Sequence, residues 1–200
     1  KILSLDVTCL KEFENIYDVC KLESKSRGIN LVICGTRKVR SKDHTEKQLL
    51  LKLIGIVPKP GKLSVRSIHT FFTNDEVTSL KAINEFEFYA KSDKTLTMFR
   101  IESDHLEKRT QYSTTSQILG YDVTEKVVAL ITTQSGLEGQ LLAADGAWMQ
   151  FQEKNMVTKH RYTKIKIINN KELVVSSETI GNEKYSNELL LYEVGSSINI

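Results

Sequence analysis

The chain has 200 residues, of which 40% are hydrophobic, 8% aromatic and 26% charged. That is enough apolar material for one sizeable core or two small ones; it excludes a disordered chain, and with two prolines and ten glycines it excludes linker-like and collagen-like classes too. Lys+Arg 28 against Asp+Glu 25 leaves a net charge of +3, too mild to announce nucleic-acid binding by itself. Apolar runs, as around Asn30–Gly35 and Lys47–Val57, are too short for a helix to cross a bilayer.

The chain opens at Lys1 with no charged, apolar, small-residue series of the signal-peptide kind, and reads as a piece of a longer protein or a processed chain. Cys9, Cys20 and Cys34 form an odd set without CxxC spacing, which suits reduced thiols in cytosol or nucleus. His44, His69, His105 and His160 lie far apart and match no metal-ligand spacing.

Taken in chain order, four segments open similar units: Val7-Thr8-Cys9-Leu10, Val77-Thr78-Ser79-Leu80, Ile118–Val123 and Ile165–Ile168. Each is followed by a second strand candidate: Leu31–Thr36, Phe86–Ala90, Val127–Thr132 and Leu173–Ser177. A third follows in turn, at Gln48–Ile54, Thr95–Ile101, Gln140–Ala144 and Glu188–Val194. The steps from Val77 to Ile118 and from Ile118 to Ile165 are close to the ~40–45 residues of a four-stranded propeller blade. The first unit is stretched by two insertions, Glu14–Gly28 and Arg37–Glu46. Within the second, Thr95–Ile101 alternates strictly, with Leu96 and Met98 on one face and Thr97, Phe99 and Ile101 on the other. The turn Ser92-Asp93-Lys94 ahead of it has short polar side chains able to bond their own backbone.

The expected fold is therefore all-β: a partial β-propeller of about three to four blades of antiparallel strands, with blades near 1–72, 73–114, 115–160 and 161–200 of one segment. A sandwich or barrel is the alternative, since short strands with polar turns suit those as well. Near the N-terminus Leu10, Phe13, Ile16, Tyr17 and Cys20 recur at helical steps, so residues 8–27 read as either a short helix capped by Gly28, even a βαβ unit, or a strand plus loop.

The usual WD-repeat signature is absent: there is no Trp-Asp and no Gly-His pair. Val7-Thr8-Cys9-Leu10-Lys11, then Leu31–Thr36 ending in Gly-Thr, Val57-Pro58-Lys59-Pro60-Gly61, Val77-Thr78-Ser79-Leu80 and Leu142-Ala143-Ala144-Asp145 resemble another pattern. It is that of the propeller family that includes the large subunit of damaged-DNA-binding protein, the largest cleavage and polyadenylation specificity factor subunit and the β-propeller subunit of splicing factor 3b. The matches are scattered over residues 7–145, and the chain departs from the pattern after Asp145, where Ala147–Gln152 is shorter than the family's strand. Vesicle-tethering and nuclear-pore scaffolds are other large propeller-bearing proteins. The resemblance implies a non-catalytic scaffold or adaptor in a large nuclear complex of the mRNA 3′-end processing, splicing or DNA-repair ubiquitin-ligase type, with protein subunits as partners.

No GxSxG elbow, P-loop, HExxH or GxGxxG is present, so the expectation is a protein that is not an enzyme, with no cofactor, no metal and no small-molecule substrate. Glu12 with Glu14, and Glu85 with Glu87, are paired carboxylates that solvated strand edges explain. Asp93 and Asp145 are read as turn residues that orient backbone amides, and Cys34 and Trp148 as core residues. Two basic stretches are the candidate contacts: Arg37, Lys38, Arg40 and Lys42 in a loop, and Lys159, Arg161, Tyr162 and Lys164, where an aromatic ring among cations could stack on a base or meet an acidic partner. They support the alternatives to the nuclear scaffold, an RNA- or DNA-binding module using basic loops or a propeller scaffold of a cytoplasmic trafficking complex.

Overall fold

The computed structural model describes residues 10–24, 28–40, 44–59, 62–134, 136–142, 146–152, 160–180 and 185–194. The chain divides into two compact units, Lys1–Ser113 and Thr114–Ile200. All regular structure in the described residues is β-strand, arranged as four antiparallel sheets in which each strand pairs with its neighbour in sequence.

The first unit holds two sheets. One runs β1 (Asn15–Ser24), β2 (Gly28–Arg40), β3 (Thr45–Lys59), β4 (Lys62–Phe72). The other runs β5 (Ser79–Ala82), β6 (Glu87–Lys91), β7 (Thr95–Glu102), β8 (His105–Ser113). Cys20, Leu22, Val32, Cys34, Leu51 and Leu53 of the first sheet share one core with Leu80, Phe88, Phe99, Ile101 and Leu106 of the second. Phe99 anchors that core, edge to face with Phe71 at 5.2 Å between ring centroids and stacked on Phe88 at 5.5 Å.

The second unit repeats the plan. Its first sheet is β9 (Ile118–Val123), β10 (Val127–Thr132), β11 (Gly136–Leu142), β12 (Trp148–Gln152); its other is β13 (His160–Ile167), β14 (Glu172–Ile180), β15 (Tyr185–Glu193). Val127, Ala129, Ile131, Leu137 and Phe151 bury against Tyr162, Ile167, Leu173, Val175 and Tyr192. Gly139 of β11 is obligatory there, because a Cβ on it would run into the Val128 carbonyl oxygen and come within 2.6 Å of the Phe151 ring.

The helical reading near the N-terminus is overturned. Asn15–Ser24 is a strand, registered on β2 from Asn15↔Thr36 to Ser24↔Gly28, and Ile16 of the supposed helical face is 45% exposed. Spacing allowed either structure; pairing with the apolar run Leu31–Cys34 decides for the strand, with Cys20 and Leu22 turned inward. Gly28 caps no helix. Its φ of +80° closes the β1–β2 hairpin instead. The proposed opening strand at Val7–Leu10 lies outside the described residues except for Leu10, which sits in a turn.

Candidate interaction site

The two basic stretches fare differently. Arg37, Lys38 and Arg40, expected in a loop, lie on β2 opposite Gln48, Lys47 and Thr45. Arg37 is spoken for: Nε donates to Gln48 Oε1 at 3.0 Å, Nη1 to Glu12 Oε2 at 3.3 Å, and the guanidinium sits 4.8 Å from the Phe72 ring centroid. Glu12 also pairs with Lys52, a lysine only 5% exposed, so this carboxylate compensates two cations on the sheet. Lys38 pairs with Glu14 at the surface, and Arg40 is exposed. Lys42 and Lys159 lie outside the described residues.

On β13 the two-residue alternation sorts the second stretch. Tyr162 points into the core, its hydroxyl 2.7 Å from that of Tyr192, so its ring is not available to stack on a base. Arg161, Lys164 and Lys166 point outward and are exposed, a register kept by the bulge between Tyr162 and Lys164. Lys166 Nζ lies 3.6 Å from Asp122 Oδ2.

The same face of that sheet carries leucines. Lys164 aligns with Ser176 and Leu189, and Lys166 with Val174 and Leu191. Leu189 is 77% exposed and Leu191 55%. These two rows thus carry a basic column on β13 and an apolar one on β15, with Ser176 and Val174 of β14 between them. Trp148, expected in the core, is 42% exposed on β12 beside exposed Met149, and Phe151 takes the buried position. Nothing in the sequence separated Trp148 from Phe151, since both suit a short strand.

No protein-family model matches the sequence, and no curated protein matches it. Function therefore has to be read from this chain's own surface. Among the described residues, no group of three or more His, Cys, Asp or Glu side chains could hold a metal ion, and no helix is long and apolar enough to cross a membrane. The Cys20 and Cys34 thiols are buried, and that burial pushes each up to about 12, far from the thiolate a nucleophile needs. The first unit also has two clefts between its sheets. One, of about 550 Å³, is bounded by Leu53, Gly55 and Ile68 on one sheet and by Ile101 and the Ser103-Asp104 turn on the other. The second, of about 400 Å³, lies between the β4–β5 connection and the start of β7.

Proposed function

We propose that the chain is a non-catalytic interaction domain whose sheets are blades of a β-propeller, serving as a scaffold that recruits protein subunits into a large complex. The propeller reading is supported by the consecutive up-and-down order of every sheet and by first strands that run side by side, β1 with β5 and β9 with β13. In each unit an aspartate bonds one first strand to the next: Asp18 to the Leu80 amide and Asp122 to the Ile167 amide, both at 2.7 Å. The recruiting role rests on one observation, the solvent exposure of Leu189 and Leu191 on an ordered sheet face. Two neighbouring leucines on one strand face form an exposed apolar patch, and contiguous patches of that kind mark interaction sites. The nuclear setting, with mRNA processing, splicing or DNA repair as its business, follows from the family resemblance; a cytoplasmic trafficking scaffold is the alternative.

Native protein drawn from its own cells should elute well above the mass of a single chain. L189E combined with L191E should return it to the position of the free chain, with the unfolding midpoint unchanged. Elution of the unaltered protein as a free chain would refute the proposal.

Nucleic-acid binding is a second reading, favoured by Arg161 and Lys164, which are exposed and have no ion pair among the described residues. Affinity for single-stranded RNA should then fall steeply with salt and lose slope in R161A with K164A. Affinity indifferent to both salt and substitution excludes it.

A further inference from the structure

Among the described residues three sheets have four strands, whereas the sheet β13-β14-β15 has three, so β15 stands at an edge. Its Leu189-Leu190-Leu191 run matches Leu49-Leu50-Leu51 of β3, the third strand of its own sheet. In β3 that run is flanked by β4, with Leu50 opposite Phe72 and Leu51 opposite Phe71, and both leucines are buried. Among the described residues no strand flanks β15 in that way, and Leu189 and Leu191 stay exposed. Edge strands are commonly guarded by charged side chains, lysine above all, or by proline. The edge strand β4 carries Arg66, and β8 carries Lys108 and Arg109. The three leucines of β15 have no such guard, since its charges, Glu188 and Glu193, stand on either side of them.

The register decides which backbone groups face the edge. The Val194 N–H donates to the Lys171 carbonyl, so by the two-residue alternation of an antiparallel ladder Leu190 and Tyr192 bond to β14 as well. Asn187, Leu189, Leu191 and Glu193 alternate with them and turn their N–H and C=O groups away from β14, toward the open edge.

That edge is complementary to itself. Let two copies run antiparallel about a two-fold axis through Leu190. Leu189 then bonds with the second copy's Leu191, Leu191 with its Leu189, and Glu193 meets Asn187. Four leucines share one face, Leu190 meets its own counterpart on the other, and no charge lies opposite a like charge. Moving the register by two residues sets Glu193 against Leu189 and loses the apolar match. The two Glu193 carboxylates come to lie about 20 Å apart along the strands, and the two β13 lysine columns about 24 Å apart across them. Both separations exceed the roughly 8–10 Å over which exposed charges interact in salt.

We infer that β15 pairs edge to edge with β15 of a second copy of this chain, making one six-stranded sheet across a two-fold axis. The inference rests on the interaction-domain reading and makes a second copy the partner of its leucine face.

The test is the mass of the purified full chain, by light scattering across a dilution series. The unaltered chain should be a dimer that dissociates on dilution. Leu189→Pro removes an N–H that faces the open edge and leaves the ladder to β14 intact, so it should give a folded monomer. Asn187→Glu sets acid against acid at two symmetric positions and should raise the dissociation constant about fivefold, and adding Glu193→Lys should restore it. Residues 187 and 193 lie too far apart on one strand to pair within a chain, so that rescue can act only between copies. A chain that is monomeric at every concentration, a dimer indifferent to Leu189→Pro and Asn187→Glu, or a loss that Glu193→Lys does not restore overturns the inference. A monomeric purified chain whose native counterpart still elutes in a large complex retires the β15 pairing alone and gives the leucine face to another subunit. A dimer that meets these expectations, with native protein no larger than that dimer, retires the multi-subunit scaffold alone.

Discussion

Asp18 and Asp122 hold the same hydrogen bond in two different places. Each sits on the first strand of a sheet, accepts the N–H of its own successor with one carboxylate oxygen, Val19 at 2.8 Å and Val123 at 3.0 Å, and reaches with the other to the first strand of the next sheet. A carboxylate is well suited to this, because both oxygens accept and the bonds to it are charge-assisted. The clip ties neighbouring sheets through their first strands.

Asp122 is 2% exposed whereas Asp18 is only half-buried, so the two should differ in worth. Asp122→Ala strands the Ile167 amide and removes the counter-charge of Lys166; it should cost about 3 kcal/mol in urea unfolding, and Asp18→Ala about 1–2 kcal/mol. Amide exchange gives a residue-level check: Leu80 should lose protection in the first unit's variant and Ile167 in the second's. Unchanged exchange at both amides would show that the carboxylates are passive.

Much of this architecture was written in the sequence, but the clips were not. Two second strands, Leu31–Thr36 within β2 and Val127–Thr132 as β10, stand out because continuous apolar runs mark strands buried on both faces. Asn15–Ser24 was left between helix and strand because its apolar pattern suits both, and only the long-range pairing to β2 resolves it. Asp93 and Asp18 have equal standing as sequence letters. Asp93 is exposed beside a turn that Ser92 closes, whereas Asp18 follows a bulge that aims it at the next sheet. The leucine face was equally hidden, since Leu189, Leu190 and Leu191 read as one run until register shows which two point outward.

A second device recurs between the first and second strands of two sheets. Asn84 Oδ1 accepts from the Phe86 and Glu87 amides, both at 2.9 Å, and Asn169 Oδ1 does the same for Lys171 and Glu172 at 2.8 and 2.9 Å. In each case the asparagine Nδ2 donates to the glutamate three residues on, at 2.9 and 2.6 Å. Asn84→Ala and Asn169→Ala should each cost about 1 kcal/mol, and the aspartate variants, which retain the acceptor, about half of that. Equal losses for alanine and aspartate would assign the effect to the glutamate contact instead.

The thiols make a plain chemical prediction. With Cys20 and Cys34 both raised to about 12 by burial, a Cys9→Ser protein in native buffer near pH 8 should react with a disulfide reagent only as fast as it opens, and both thiols should react at once in strong denaturant. Rapid native labelling at Cys34 would mean that the first unit's core opens far more readily than its packing implies.

His69 should make the first unit sensitive to acid. Its Nδ1 accepts the Leu106 amide of β8 at 3.1 Å, so the ring is neutral in the folded protein, and burial, then the His105 ring 6.2 Å away, holds it below the ordinary 6.5. Protonation would set an N–H at Nδ1 against the Leu106 N–H. The unfolded chain binds the proton more readily than the folded one, so this contribution is fully present above about pH 6.5 and is lost as pH falls from there through the folded value. The urea midpoint should therefore drop between about pH 7.5 and pH 5.5, and His69→Gln, which can still accept the amide, should flatten that dependence while leaving the midpoint at the higher pH nearly unchanged. A midpoint in the His69→Gln protein that falls as steeply as in the unaltered chain would place the acid sensitivity elsewhere.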